Sequence, residues 1–279
     1  TTYAYNSLLQ TRNFRSKRIQ LGRCRKTVPE EEGERMILQA VEVERTTEPN
    51  VRQTVLKLEH VTKKFGGLVA VSDFNVDLKE GELLGLIGPN GAGKTTIFNL
   101  ITHVIPVTEG KIEFYGKDIT KLSTDRIIKL GIARTFQNIR LFSNMSVKEN
   151  IMTAFHVHLK SDLFTAVAFL PKYREEEEFI QQKTWELMKE VGIEHLADHK
   201  SSSLPYGLQR KLEIARALAT SPKLLLLDEP AAGMNPDETL ELNQLILRIR
   251  ERYKLTVIVI EHDMKVIMNI SERIIVLDH

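Results

Sequence analysis

Lys94, Thr95 and Thr96 close the stretch GLIGPNGAGKTT, in which Gly88, Gly93, Lys94 and Thr95 satisfy the pattern G-x-x-x-x-G-K-[ST]. This spacing is a device for holding phosphate. Glycines let the backbone of Gly88, Pro89, Asn90, Gly91, Ala92 and Gly93 curl until successive N–H groups converge on phosphate oxygens, and the helix that follows, starting with Thr96 close by, adds the field of its N-terminus. A lysine after the last glycine reaches the β- and γ-phosphates, and the Thr95 hydroxyl suits a magnesium ion. The order of glycines excludes the G-x-G-x-x-G pattern of dinucleotide enzymes. Farther along, LLLLDEP places Asp228 and Glu229 directly after four leucines, and TVIVIEHD places His262 after a second apolar run. An aspartate at the end of a buried strand can hold the magnesium shell, and a neighbouring glutamate can orient and deprotonate water. His262 is expected at the same sheet edge, within reach of a γ-phosphate.

These side chains need a scaffold that brings distant segments to one edge. ELLGLIG, KLLLLD and TVIVIE are continuous apolar runs of strand length, the pattern of strands buried on both faces. DFNVDL instead alternates Phe74, Val76 and Leu78 with polar residues, and KIEFYG does the same with Ile112 and Phe114, which predicts a small antiparallel sheet. Helical patterns lie between them. Ser146 and Glu149 form a capping-box sequence ahead of IMTAF, REEEEFIQQKTWELMKEVG reads as a charged amphipathic helix, and Leu242, Leu245, Ile246 and Ile249 follow the i, i+3, i+4, i+7 rule. Buried strands alternating with amphipathic helices predict an α/β fold with a mainly parallel sheet.

Composition narrows the classes without choosing one. The 279 residues are 42% hydrophobic and 27% charged, enough for one substantial core with a smaller subdomain, and the net charge of +2 gives no nucleic-acid footprint. The longest apolar candidate for a membrane span, Leu163 to Leu170, falls far short of the roughly 20 residues needed. Cys24 is the single cysteine, which excludes an internal disulfide and suits a reducing compartment such as the cytoplasm. Residues 1–50 are basic as far as Pro29 and then acidic in PEEEGER; they show no strand or helix period and read as a disordered or non-native extension, with residues 51–279 as the folded domain. The purine-rich coding potential before Met36 leads to the expectation that the native start is Met36.

With the P-loop, LLLLDEP, and the EHD triplet in this order, the chain from about Val55 onward resembles the nucleotide-binding domains of ABC transporters, which implies an α/β fold with a P-loop NTPase (RecA-like) core, a small antiparallel β-subdomain and an inserted α-helical subdomain at about 141–220, and a truncation at His279 that is expected to leave an apolar edge. That resemblance implies a Q-loop glutamine at Gln137 in RTFQN, sensing magnesium and γ-phosphate; a signature motif at Leu204, Pro205, Tyr206, Gly207 and Leu208, facing the nucleotide of a partner subunit; a D-loop at AAGMNP around Asn235; a switch histidine at His262; and Phe65 in KKFGG stacking on adenine. Thr95, Gln137 and Asp228 are the implied magnesium residues, and ATP with Mg2+ the implied ligands. The stretches LPYGLQRKLEIARALAT and LLLLDEPAAGMNPDET are similar to the ATP-binding subunits of branched-chain amino acid importers. What this implies is ATP hydrolysis driving import, a second ATPase subunit in a homo- or heterodimer, two membrane permease subunits, an extracytoplasmic solute-binding protein, no nucleic acid, and a peripheral place at the cytoplasmic face of the cell membrane. A lipopolysaccharide-type exporter ATPase is the nearer alternative, and a soluble non-transport ABC ATPase the remoter one.

Two departures from the family pattern stand out. The general signature is L-S-G-G-Q, and here Pro205 removes the serine hydroxyl. A hydrogen bond to a charged group contributes about 1.5–3 kcal/mol, whereas a helix N-terminus contributes about 0.3–1 kcal/mol, so weaker closure is expected at this position without loss of ATP binding. Asn235 is neutral where many relatives of this family carry aspartate, which is expected to alter coupling across the subunit interface.

Overall fold

The computed structural model describes residues 19–21, 41–44, 52–157 and 171–278. Its strands are β1 (Ile19–Leu21), β2 (Val41–Glu44), β3 (Thr54–Phe65), β4 (Leu68–Lys79), β5 (Leu83–Ile87), β6 (Glu109–Phe114), β7 (Lys117–Asp118), β8 (Ile132–Arg134), β9 (Leu224–Asp228), β10 (Thr256–Ile260) and β11 (Arg273–Val276). Its α-helices are α1 (Lys94–Ile101), α2 (Thr124–Leu130), α3 (Val147–Phe155), α4 (Pro171–Val191), α5 (Tyr206–Leu218), α6 (Pro236–Tyr253) and α7 (Met264–Ile270).

Every residue of β5, β9 and β10 is buried, as their unbroken apolar runs require. They lie at the centre of a sheet ordered β1-β2-β11-β5-β10-β9-β8, in which β11, β5, β10, β9 and β8 run parallel. Alternate residues feed two cores. Leu84, Leu86, Leu224, Leu226, Ile258 and Ile260 pack with α1 and the small sheet. Leu83, Ile87, Leu225, Leu227, Val257 and Val259 pack with α5 and α6. Both faces of the sheet are therefore covered, which is the condition for a parallel sheet to be stable.

The second sheet, β4-β3-β6-β7, is antiparallel. Phe74, Val76 and Leu78 point into its core while Asp73, Asn75 and Asp77 face solvent, matching the alternation in the sequence. Helices α3, α4 and α5 pack on one another as a helical block. The capping box at Ser146 and Glu149 is formed and starts α3. Glu190 in the last turn of α4 is buried and accepts hydrogen bonds from Arg248 at 3.0 Å and from Arg252, which fastens this block to α6.

The N-terminal region differs from its sequence reading. It contains β1 and β2, with β2 antiparallel to β11 through the pairs Val41–Val276 and Val43–Ile274. The signal was the alternation Val41-Glu42-Val43-Glu44, too short to separate from chance by periodicity. Cys24, Met36, the apolar run Leu163–Leu170 and His279 lie outside the described residues.

Candidate active site

Parallel pairing brings the chemistry to one edge. Leu86 of β5 and Asp228 of β9 both register with Ile260 of β10, while Arg134 of β8 registers with Leu226. The carboxyl ends of four adjacent strands thus deliver the P-loop, Glu261–His262, Asp228–Glu229 and the Thr135–Gln137 segment side by side. Open α/β sheets place ligands at this edge, where loops leave the strands and helices begin.

The P-loop conformation depends on its glycines. Gly93 has φ 88°, and a Cβ there would lie 2.5 Å from the carbonyl oxygen of Ala70. Gly88 is as tightly placed, since its Cβ would lie 2.3 Å from the carbonyl oxygen of Leu277. Gly93 also caps α1 without a side chain, so the first amides of the helix keep no side-chain cap and stay directed at the loop. Lys94 is buried and its Nζ donates to the carbonyls of Gly88 at 2.7 Å and Pro89 at 2.9 Å. Desolvation holds its pKa below the usual lysine value, against the pull of Glu229 and Asp228. Thr95 is exposed at the head of the helix and Thr96 half-buried behind it, with Pro89, Asn90 and Gly91 exposed and Ala92 buried under the loop.

Asp228 is only 1% exposed. Burial raises its pKa, and Arg134, whose Nη2 donates to Oδ2 at 2.8 Å, counters that effect. Its Oδ1 has no hydrogen-bond partner among the described residues. A buried carboxylate oxygen without a donor, at the same sheet edge as the Thr95 hydroxyl and the amide oxygen of Gln137, belongs to an all-oxygen set that fits the hard cation Mg2+. Glu229 follows with φ 45°, a left-handed backbone that turns it out of the strand direction, and its N–H donates to the carbonyl of Ile260 at 3.0 Å. The side-chain amide of Gln137 donates to Glu229 Oε2 at 2.9 Å. His262 follows β10 and is largely exposed, with Nδ1 3.9 Å from Glu261 Oε2.

Other expected residues sit farther from this group. Phe65 ends β3, half exposed, with Lys63 Nζ 4.9 Å from its ring centre. Pro205 is the N-cap of α5, without a side-chain cap bond, so Leu204 is buried before the helix while Tyr206, Gly207 and Leu208 form its first turn. Asn235 acts locally. Its side chain accepts from the Glu238 N–H at 2.9 Å, Glu238 returns the bond to the Asn235 N–H at 3.0 Å, and Pro236 follows at the first position of α6.

Sequence reading missed four supporting residues. Arg134 spans Asn99 of α1, at 2.6 Å, and Asp228, and its guanidinium lies 5.4 Å and 5.0 Å from the ring centres of Phe98 and Phe136. Glu261 is buried and accepts from the Ala231 N–H at 2.9 Å, tying the loop after Glu229 to the residue before His262. Arg210 and Glu213 are buried on α5. The available signal was a charged residue inside an otherwise buried pattern, in IARTF, VIEH and QRKLEIA.

Comparison with known proteins agrees with this geometry. Residues 71–232 match the family model described as ABC transporter. The chain is 43% identical over 228 residues to the high-affinity branched-chain amino acid transport ATP-binding protein LivG of Salmonella typhimurium, covering 81% of this chain and 89% of that protein. It is 42% identical to BraF of Pseudomonas aeruginosa, which carries the same description, over 80% of this chain and 88% of that one. Among solved structures, a dimeric ATP-binding cassette in a post-hydrolysis state with ADP and Pi superposes with TM-score 0.68 and 29% identity, covering 80% of this chain and 94% of that one. The chain belongs to the ABC transporter family, as one of its ATP-hydrolysing cassettes.

Proposed function

We propose that the chain energises import of branched-chain amino acids or similar small solutes, as one of two ATPase subunits beneath a pair of permeases. The reading of the cargo rests on the similarity to LivG and BraF, whose names give that transport. The hydrolytic assignment is carried by one observation, the hydrogen bond that joins Gln137 to Glu229 at the P-loop edge.

In this reading the amides of Gly88–Gly93 and the start of α1 bind the phosphates of ATP, and Phe65 offers an exposed ring face to the adenine. Lys94 exchanges its two loop carbonyls for phosphate oxygens. Thr95, Asp228 and Gln137 would hold magnesium, which when bound would neutralise phosphate charge. Glu229 accepts a proton from water while the water oxygen bonds to the γ-phosphorus and the bond to the ADP oxygen breaks. Gln137 orients the Glu229 carboxylate, and His262 donates a hydrogen bond to the γ-phosphate. Residues 204–208 face the partner subunit's nucleotide, where free amides at the start of α5 stand in for the hydroxyl that Pro205 lacks.

No helix of the described residues is long and apolar enough to cross a membrane, and in this reading attachment runs through the permeases at the cytoplasmic face. Mild-detergent purification from the native membrane tests the assembly. Two permeases and a second ATPase are expected with the chain, and leucine-loaded solute-binding protein is expected to raise ATP turnover. Recovery without any permease, or stimulation by an exported lipid in place of the amino acid, contradicts the reading.

A further inference from the structure

Arg210 and Glu213 form an ion pair at 2.5 Å on α5, with side chains 0% and 2% exposed. Such burial is costly, and an apolar pair of equal volume would stabilise a helix at least as well. Their other contacts converge on one segment. Arg210 Nη1 donates to the carbonyl of Phe136 at 2.7 Å, and Nη2 donates to the carbonyl of Gln137 at 3.0 Å. Glu213 Oε1 accepts from the N–H of Phe136 at 3.2 Å. The chain has left β8 at this point, so these peptide groups need partners from side chains. The pair supplies donors and an acceptor together, gripping the main chain of two successive residues, the second of which carries the side chain that reaches Glu229.

A third residue completes the arrangement. Arg210 Nη2 also donates to the Tyr206 hydroxyl at 3.1 Å. Tyr206 is 42% exposed in the first turn of α5, and its ring borders Gly233 in the loop after Glu229. The general signature has glycine here, which offers no such acceptor.

We propose that Arg210 is a positioning residue for Gln137: its fork, set by Glu213 and Tyr206, holds the Phe136–Gln137 main chain so that the Gln137 amide meets Glu229. The inference rests on the reading of Gln137 and Glu229 as the hydrolytic pair. It also gives Tyr206 a role that explains its presence in the signature, since the phenol begins a continuous path from the surface facing the partner's nucleotide to the base at the chain's own.

The test compares kcat and KM for ATP in the full chain carrying R210K, Q137A, and both. Lysine keeps a charge beside Glu213 but cannot span two carbonyls as a fork does. R210K is expected to lower kcat about tenfold, with KM within about twofold of the parent, and to have no effect once Q137A is present. An equal loss in both backgrounds overturns the inference and leaves the hydrolytic pair standing. Unchanged kcat in Q137A alone overturns the hydrolytic pair and the inference with it. If R210K does not fold, Y206F serves instead. A fall in kcat of about threefold that disappears in the Q137A background supports the inference, and a fall present in both backgrounds, or in neither, overturns it.

Discussion

The side-chain amide of Gln137 meets the carboxylate of Glu229 at 2.9 Å, linking residues that stand 92 positions apart in the chain. The contact joins the segment after β8, which leads into the helical block, to the residue after β9, which stands at the sheet edge. The hydrogen bond places Gln137 between the helical block and Glu229. Arg134 and Arg210 hold this junction, one through Asp228 and one through the Gln137 main chain.

Arg134→Met leaves Asp228 buried without its countercharge. Breaking a buried pair in this way costs about 3–5 kcal/mol, because the remaining charge stays out of water. Urea unfolding is expected to show that loss in the midpoint. Arg134→Lys, which retains a cation, is expected to recover part of it, and identical midpoints for Met and Lys would show that the charge is unimportant there.

Asn235→Ala removes the cap of α6. Capping substitutions of this kind cost about 1 kcal/mol, and aspartate, which caps equally well, is expected to restore the parent value. Binding of a fluorescent ATP analogue to the P-loop of the isolated chain is expected to be unchanged in both variants. Asn235, expected from the sequence to matter chiefly through its missing charge at a subunit interface, thus has a first role inside its own helix.

Glu261 carries a pH signature. Burial raises its folded-state pKa above the unfolded glutamate value near 4.3, opposed by hydrogen bonding from Ala231 and by His262. Between those two pKa values the native state binds more protons than the unfolded chain, so this group's contribution makes stability fall as pH rises through the window. Glu261→Gln keeps the acceptor for Ala231 and does not titrate. Its stability relative to the parent is expected to increase as pH rises from about 4 toward neutrality. A difference independent of pH would contradict the assignment.

The parts legible in the sequence are those in which chemistry and scaffold are contiguous. The glycines around Lys94, the leucines before Asp228 and the apolar run before His262 each announce a strand and the residue at its end. The alternation at Phe74, Val76 and Leu78 gives the antiparallel sheet by the same local logic. What stayed hidden is contact across chain distance. Arg134 and Asp228 are 94 residues apart, and Arg210 and Phe136 are 74 apart, so no local period records either pairing. A buried arginine marks such a contact without naming its partner. Asn235 is the opposite case: its capping box with Glu238 lies within four consecutive residues of the sequence, whereas its neutral charge stands out only against the family pattern.

The most direct test of the hydrolytic assignment is single-turnover ATP cleavage by Glu229→Gln beside ATP binding by the same protein. The amide cannot accept the proton from water, yet it preserves the size of the side chain. Cleavage is expected to fall by about 10²- to 10⁴-fold while ATP affinity stays near the parent value, and a closed ATP-bound dimer is expected to accumulate. Cleavage at the parent rate would contradict the role of Glu229 as the base.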